Sequence, residues 1–162
     1  MNQVFLGADR GAMCVNGPSS RIVLFVCVEN TFRSIIAEAI FNAYSPPNWY
    51  AESAGFRPAE NINPVAIQLL HEIGIEVVEK KPRLVTQEMV TEASRVIAFG
   101  CLDRCPIAAK GKAEDWQSIP GSVGKDGALR NREELLAIRG EIERRVLKLI
   151  HGLQRTAEPN NS

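Results

Sequence analysis

The apolar run Ile22-Val23-Leu24-Phe25-Val26 passes directly into the loop Cys27-Val28-Glu29-Asn30-Thr31-Phe32-Arg33-Ser34. Helical periodicity follows from Ser34 to Tyr44, with apolar Ile35, Ile36, Ala39, Ile40 and Phe41. A short continuous apolar run reads as a buried strand, so the loop joins a strand to a helix N-terminus. The alternation then repeats. Pro46-Pro47-Asn48 breaks the pattern and Trp49 to Ser53 reads as a second strand. Pro64 opens a helix carrying Val65, Ile67, Leu69, Leu70 and Ile73, and Gly74 stops it. Thr86 caps a short helix from Gln87 to Ala93, Arg95 to Phe99 forms a third strand, and Glu114 to Gln117 a short fourth. Asn131 caps a long amphipathic helix from Arg132 to Leu153, with Leu135, Ile138, Ile142, Val146, Leu149 and Ile150 on one face. Strands alternating with helices predict an α/β fold: a doubly wound, four-stranded parallel sheet with helices on both faces.

A chain of 162 residues is the size of one domain. The periodic part spans residues 21–153; residues 1–20 are expected to be a loose N-terminal extension and residues 154–162 a loose tail, both rich in polar residues. Formal net charge is zero and no basic cluster stands out, which argues against nucleic acid or an anionic membrane as partner. Asp9 and Arg10 interrupt the segment after Val4-Phe5-Leu6 before it forms a signal-peptide apolar region, and no run reaches the length of a membrane span, so a cytoplasmic protein is expected. Four cysteines do not make a disulfide scaffold. Nor do they make a zinc pattern, because His71 and His151 are remote in sequence from the closely spaced Cys101 and Cys105. No metal and no cofactor are expected. In a reducing compartment such thiols are more often catalytic or redox-active than structural, with Cys14, in the extension, an incidental thiol.

A loop between a strand and a helix N-terminus aims backbone N–H groups and the positive end of the helix dipole at one point, which suits a tetrahedral oxyanion. The backbone of Val28, Glu29, Asn30, Thr31, Phe32 and Arg33 would form that cradle. The same field favours the thiolate of Cys27, to which the Ser34 hydroxyl can donate. The planar fork of Arg33 can hold two oxygens of a phosphate or arsenate while the thiolate attacks the central atom. Asn30 suits a left-handed position within such a loop. Ligands of parallel sheets bind at the carboxyl ends of strands. Cys27 follows the first strand and Cys101 the third, which puts both on that edge.

On these residues the chain resembles the low-molecular-weight protein tyrosine phosphatases and the thioredoxin-coupled arsenate reductases of the same fold. Arg33-Ser34-Ile35-Ile36-Ala37-Glu38-Ala39 is similar to the family's first helix, and Ser53-Ala54-Gly55 with Asn63-Pro64-Val65-Ala66 to its second strand, loop and helix. Gly100-Cys101-Leu102-Asp103-Arg104-Cys105-Pro106 and Glu114-Asp115-Trp116 resemble the arsenate reductase branch, so the likeness spans about residues 21–153.

The phosphatase branch implies a Cys27 phosphocysteine and a general-acid aspartate in an Asp-Pro pair. Here Trp116-Gln117-Ser118-Ile119-Pro120-Gly121-Ser122 has no aspartate beside the proline, leaving Asp115 and Asp126 as the flanking acids. The reductase branch implies that Cys101 and Cys105 are the second and third thiols of a disulfide relay to thioredoxin. Many phosphatase relatives carry a partner cysteine where this chain has Phe32. In the arsenate reductases a monovalent cation can sit near the residues that Asn30, Glu38 and Ser53 resemble, and no such site is assigned here. The expected function is arsenate reduction through Cys27, Arg33, Ser34, Cys101 and Cys105. Hydrolysis of phosphate monoesters is the alternative, and a non-catalytic oxyanion-binding or redox-sensing protein a further one.

Overall fold

The computed structural model describes residues 20–77, 79–104 and 111–157. Four strands, β1 (Arg21–Cys27), β2 (Trp49–Gly55), β3 (Arg95–Ala98) and β4 (Ala113–Asp115), form one sheet in the order β2-β1-β3-β4. Every pair is parallel, as the alternation of strands and helices requires. The helices are α1 (Arg33–Tyr44), α2 (Pro64–His71), α3 (Gln87–Glu92) and α4 (Arg132–Ala157), with a 3₁₀ turn at Leu102–Arg104.

The central place of β1 explains its composition. Successive strand residues point to opposite faces, and here both faces are covered. Val23, Phe25 and Cys27 enter one core with Ile36, Ile40 and Phe41 of α1 and Ile138, Ile142 and Val146 of α4. Leu24 and Val26 enter the other with Ala54, Val90 of α3, Val96, Ala98 and Cys101. Val23 to Val26 are fully buried, each large side chain contributing roughly 1.5–3 kcal/mol. Phe25 anchors the first core, its ring centroid 6.3 Å from Phe41, 6.5 Å from Phe99 and 6.0 Å from Trp116.

The caps read from the sequence at Thr86 and Asn131 form, and Asn63, ahead of Pro64, adds a third. Asn63 Oδ1 accepts from Val65 N, Thr86 Oγ1 from Met89 N and Asn131 Oδ1 from Glu134 N. Several boundaries differ from the sequence expectation, among them the fourth strand, which runs Ala113–Asp115 rather than Glu114 to Gln117. Helix α4 runs on to Ala157, so Gln154 to Ala157 are helical rather than part of a loose tail. Nothing between Leu153 and Pro159 breaks a helix, and Gln, Arg and Ala all favour one. Helix α2 closes at His71, two residues before Ile73, and the chain turns through Gly74 at φ 80°. No helix among the described residues is long and apolar enough to cross a membrane.

Candidate functional site

Gly55, at the end of β2, sets how closely the loop of residues 27–33 can settle. A Cβ there would lie 2.6 Å from Val28 O and 2.9 Å from Asn30 N, so only glycine admits the loop at this depth. The loop carbonyls turn outward to donors on neighbouring segments. Val28 O accepts from Arg57 N, Glu29 O from Ala59 N and Thr31 O from Asn63 N. Among the described residues no backbone carbonyl takes the N–H groups of residues 28–32. Buried backbone donors need partners, so this one-sided arrangement is that of an anion cradle at the α1 N-terminus.

Three side chains organise the cradle. Asn30 is fully buried in the left-handed region at φ 57°, where its Oδ1 accepts from Arg83 N at 3.0 Å. Its Nδ2 donates to Ser34 Oγ at 2.9 Å, and Ser34 Oγ lies 2.9 Å from Cys27 Sγ. Ser34 Oγ therefore links Asn30 to the sulfur, in a geometry that lets its hydroxyl donate to a Cys27 thiolate.

Arg33, the first residue of α1, is held by contacts the sequence did not disclose. Its Nη1 donates to Ile119 O at 3.0 Å and its Cζ sits 5.8 Å from the Phe99 ring centroid. Gly121 passes the same guanidinium, and Arg130 fixes that segment through Nε to Gly121 O at 2.9 Å and N to Ser122 O at 2.9 Å. Asn63 Nδ2 reaches Ser122 Oγ at 3.2 Å, joining the segment to the α2 cap.

Ile119 stands immediately before Pro120, where the resemblance places the aspartate. Its side chain is buried in the first core and only its carbonyl faces Arg33. The flanking acids are engaged elsewhere: Asp115 Oδ1 accepts from Gly100 N at 2.6 Å and Asp126 Oδ1 from Ala128 N at 3.0 Å.

Cys101 lies on the same sheet edge as Cys27. Gly100, at φ 85°, turns the chain after β3, and Cys101 Sγ comes 3.5 Å from Val26 O, the carbonyl directly preceding Cys27. Cys101 is buried against the second core. Cys105 and Cys14 lie outside the described residues.

Glu38 and Ser53 meet: Ser53 Oγ donates to Glu38 Oε1 at 2.8 Å. The Lys80 ammonium closes on both Glu38 oxygens at 2.6 and 2.7 Å, so this carboxylate is paired by a residue of the chain. Among the described residues no group of three metal-ligating side chains forms.

A parallel α/β sheet with a cysteine and an arginine at the two ends of an anion-cradling loop defines a class of oxyanion-handling cysteine proteins. The sequence profile described as low molecular weight phosphotyrosine protein phosphatase matches residues 22–114, and the chain belongs to that family. The arsenate reductase of Shouchella clausii is 31% identical over 101 residues, covering 60% of this chain and 72% of that protein. Among solved structures, the Corynebacterium glutamicum thioredoxin-dependent arsenate reductase Cg_ArsC1' superposes with a TM-score of 0.71 at 28% identity, covering 92% of this chain and 72% of that one. The YwlE arginine phosphatase of Geobacillus stearothermophilus gives 0.70 at 28% identity, covering 84% and 94%.

Proposed function

We propose that this chain is an arsenate reductase working through Cys27, with Cys101 and Cys105 as the relay. The observation that carries the reading is the pairing of the Asn30–Ser34–Cys27 donor chain with Cys101 Sγ at 3.5 Å from Val26 O. In the first step the Cys27 thiolate attacks arsenic while the loop N–H groups of residues 28–32 and Arg33 hold the remaining oxygens, and one oxygen leaves as water. The Cys101 thiolate then attacks Cys27 sulfur. The electron pair of the sulfur–arsenic bond passes to arsenic, arsenite departs, and a Cys27–Cys101 disulfide remains. Attack by Cys105 on Cys101 regenerates the Cys27 thiolate, and two electrons from a thioredoxin-class dithiol reduce the Cys101–Cys105 bond.

Ile119 helps to choose between oxyanion chemistries. A phenolate or alkoxide leaving group needs a proton that a buried isoleucine does not supply, and general-acid help is worth ~10²–10⁴-fold. Hydrogen arsenate, the main form near neutral pH, brings a proton on one of its own oxygens. The lost acid therefore costs an ester far more than it costs arsenate.

Phosphatase action is the second reading, because the loop alone suffices for a phosphocysteine and the arginine phosphatase neighbour shares the fold. A side-by-side assay tests the choice. We expect turnover of arsenate with thioredoxin and its reductase, and only slow hydrolysis of phenyl phosphate, whose phenolate needs a proton to leave. Rapid ester hydrolysis without arsenate turnover would reverse the assignment.

A further inference from the structure

Away from the Cys27 loop, a hollow of about 730 Å³ opens between the C-terminal half of α4 and the edge of the sheet. Its walls carry Arg95 from the start of β3 and Arg144, Arg145, Lys148 and Arg155 from α4, with Trp116 below them. Among the described residues, Glu114 and Glu141 are the carboxylates seen to line the hollow or to pair with these cations. Glu114 lines the hollow and accepts from Trp116 Nε1 at 2.7 Å. Glu141 binds Arg144 and Arg145, each at 2.7 Å.

Arg145 is further fixed by Ser118 Oγ at 2.7 Å and by the Trp116 ring, whose centroid lies 5.9 Å from its Cζ. Arg95, Lys148 and Arg155 have no carboxylate within ion-pair distance among the described residues. On a chain of zero net charge, this is a local concentration of positive potential in a concave site, which focuses the field on an anion. Gly152 lines the hollow, and a Cβ there would meet nothing within 4 Å.

We propose that this hollow is a second anion site, distinct from the Cys27 loop, which takes a small polyanion carrying several phosphate groups. The volume falls in the range of small-ligand sites, roughly 300–1,000 Å³, and guanidinium groups match phosphate oxygens in pairs. Cations from β3 and from the C-terminal turns of α4 line one half-open hollow, which fits a compact polyphosphate better than an extended acidic peptide.

The two tryptophans are Trp49 and Trp116, so Trp49→Phe leaves Trp116 as the reporter. Tripolyphosphate and ATP are titrated into that protein and followed by fluorescence and calorimetry. Saturable binding is expected to survive Arg33→Lys and to weaken by roughly tenfold or more in Lys148→Glu/Arg155→Glu, with arsenate turnover unchanged in the latter. If that double variant fails to fold, Lys148→Gln/Arg155→Gln gives the same comparison with a smaller loss. Stronger binding of ATP than of tripolyphosphate makes the ligand a nucleotide, and equal binding makes it the polyphosphate chain. Binding lost in Arg33→Lys but kept in the double variants assigns the anion to the loop and overturns the proposal. So does no saturable binding, or binding of a polyglutamate peptide but of neither phosphate probe.

Discussion

Ser34 uses one hydroxyl for two contacts: it accepts from Asn30 Nδ2 and is placed to donate to a Cys27 thiolate, both at 2.9 Å. A hydrogen bond to a charged partner is worth about 1.5–3 kcal/mol, and this one is formed before substrate arrives. Cys27 should accordingly be the most reactive of the four cysteines toward iodoacetamide near neutral pH, with arsenate or phosphate protecting it. Ser34→Ala should slow its alkylation by roughly tenfold or more. Peptide mapping after timed labelling measures both effects. Equal labelling of Cys14 and Cys27, indifferent to oxyanions, would contradict the loop assignment.

Among the elements, the junction of β2 with the loop is the least forgiving. In Gly55→Ala the new methyl would meet Val28 O at 2.6 Å and Asn30 N at 2.9 Å, so the loop must lift. The two cores lie on either face of the sheet and do not depend on this contact. The expectation is a stability loss of roughly 1–3 kcal/mol with activity reduced on the order of 10²-fold, read from a thermal melt beside steady-state kinetics. Full activity would show that the cradle tolerates displacement. Elements such as β1, α1 and the capped helices were legible because apolar spacing and Asn or Thr caps are local signals. The one-sided burial of Arg33 was not, since Ile119 O, Gly121 and Phe99 lie 86, 88 and 66 residues further along the chain. For the same reason the cations of the hollow were invisible: Arg95 is 60 residues from Arg155, and only the fold brings them to one hollow. The signal for Gly55 was present in Ser53-Ala54-Gly55, but its physical cause is a contact with residues 28 and 30.

Across the whole molecule, α4 is fastened to the rest of the domain by ion pairs as well as by its apolar face. Arg132 and Arg139 reach Glu72 beyond the end of α2, and the hydrogen bonds from Arg132 first and Arg139 next hold its carboxyl below the usual range. Arg144 and then Arg145 hold the Glu141 carboxyl down to about 2. A depressed carboxylate contributes stability that is fully present above the ordinary value of 4.5 and is lost as pH falls through about 2. Solvent screening limits such a pair to about 1 kcal/mol or less, which is a few degrees of Tm at this chain length. Glu141→Gln should therefore melt slightly below wild type near neutral pH, the gap closing as pH falls from about 4.5 toward 2. A gap that widens toward low pH would contradict the pairing. The central claim, that Cys27 and Cys101 exchange electrons across one sheet edge, is tested most directly by mass spectrometry of arsenate-treated protein under non-reducing conditions. The account predicts that Cys105→Ser traps a Cys27–Cys101 disulfide after one turnover, while Cys101→Ser, without a small-thiol donor, releases no arsenite. Arsenite released by Cys101→Ser at the wild-type rate, or no disulfide among Cys27, Cys101 and Cys105 in any variant, would contradict it.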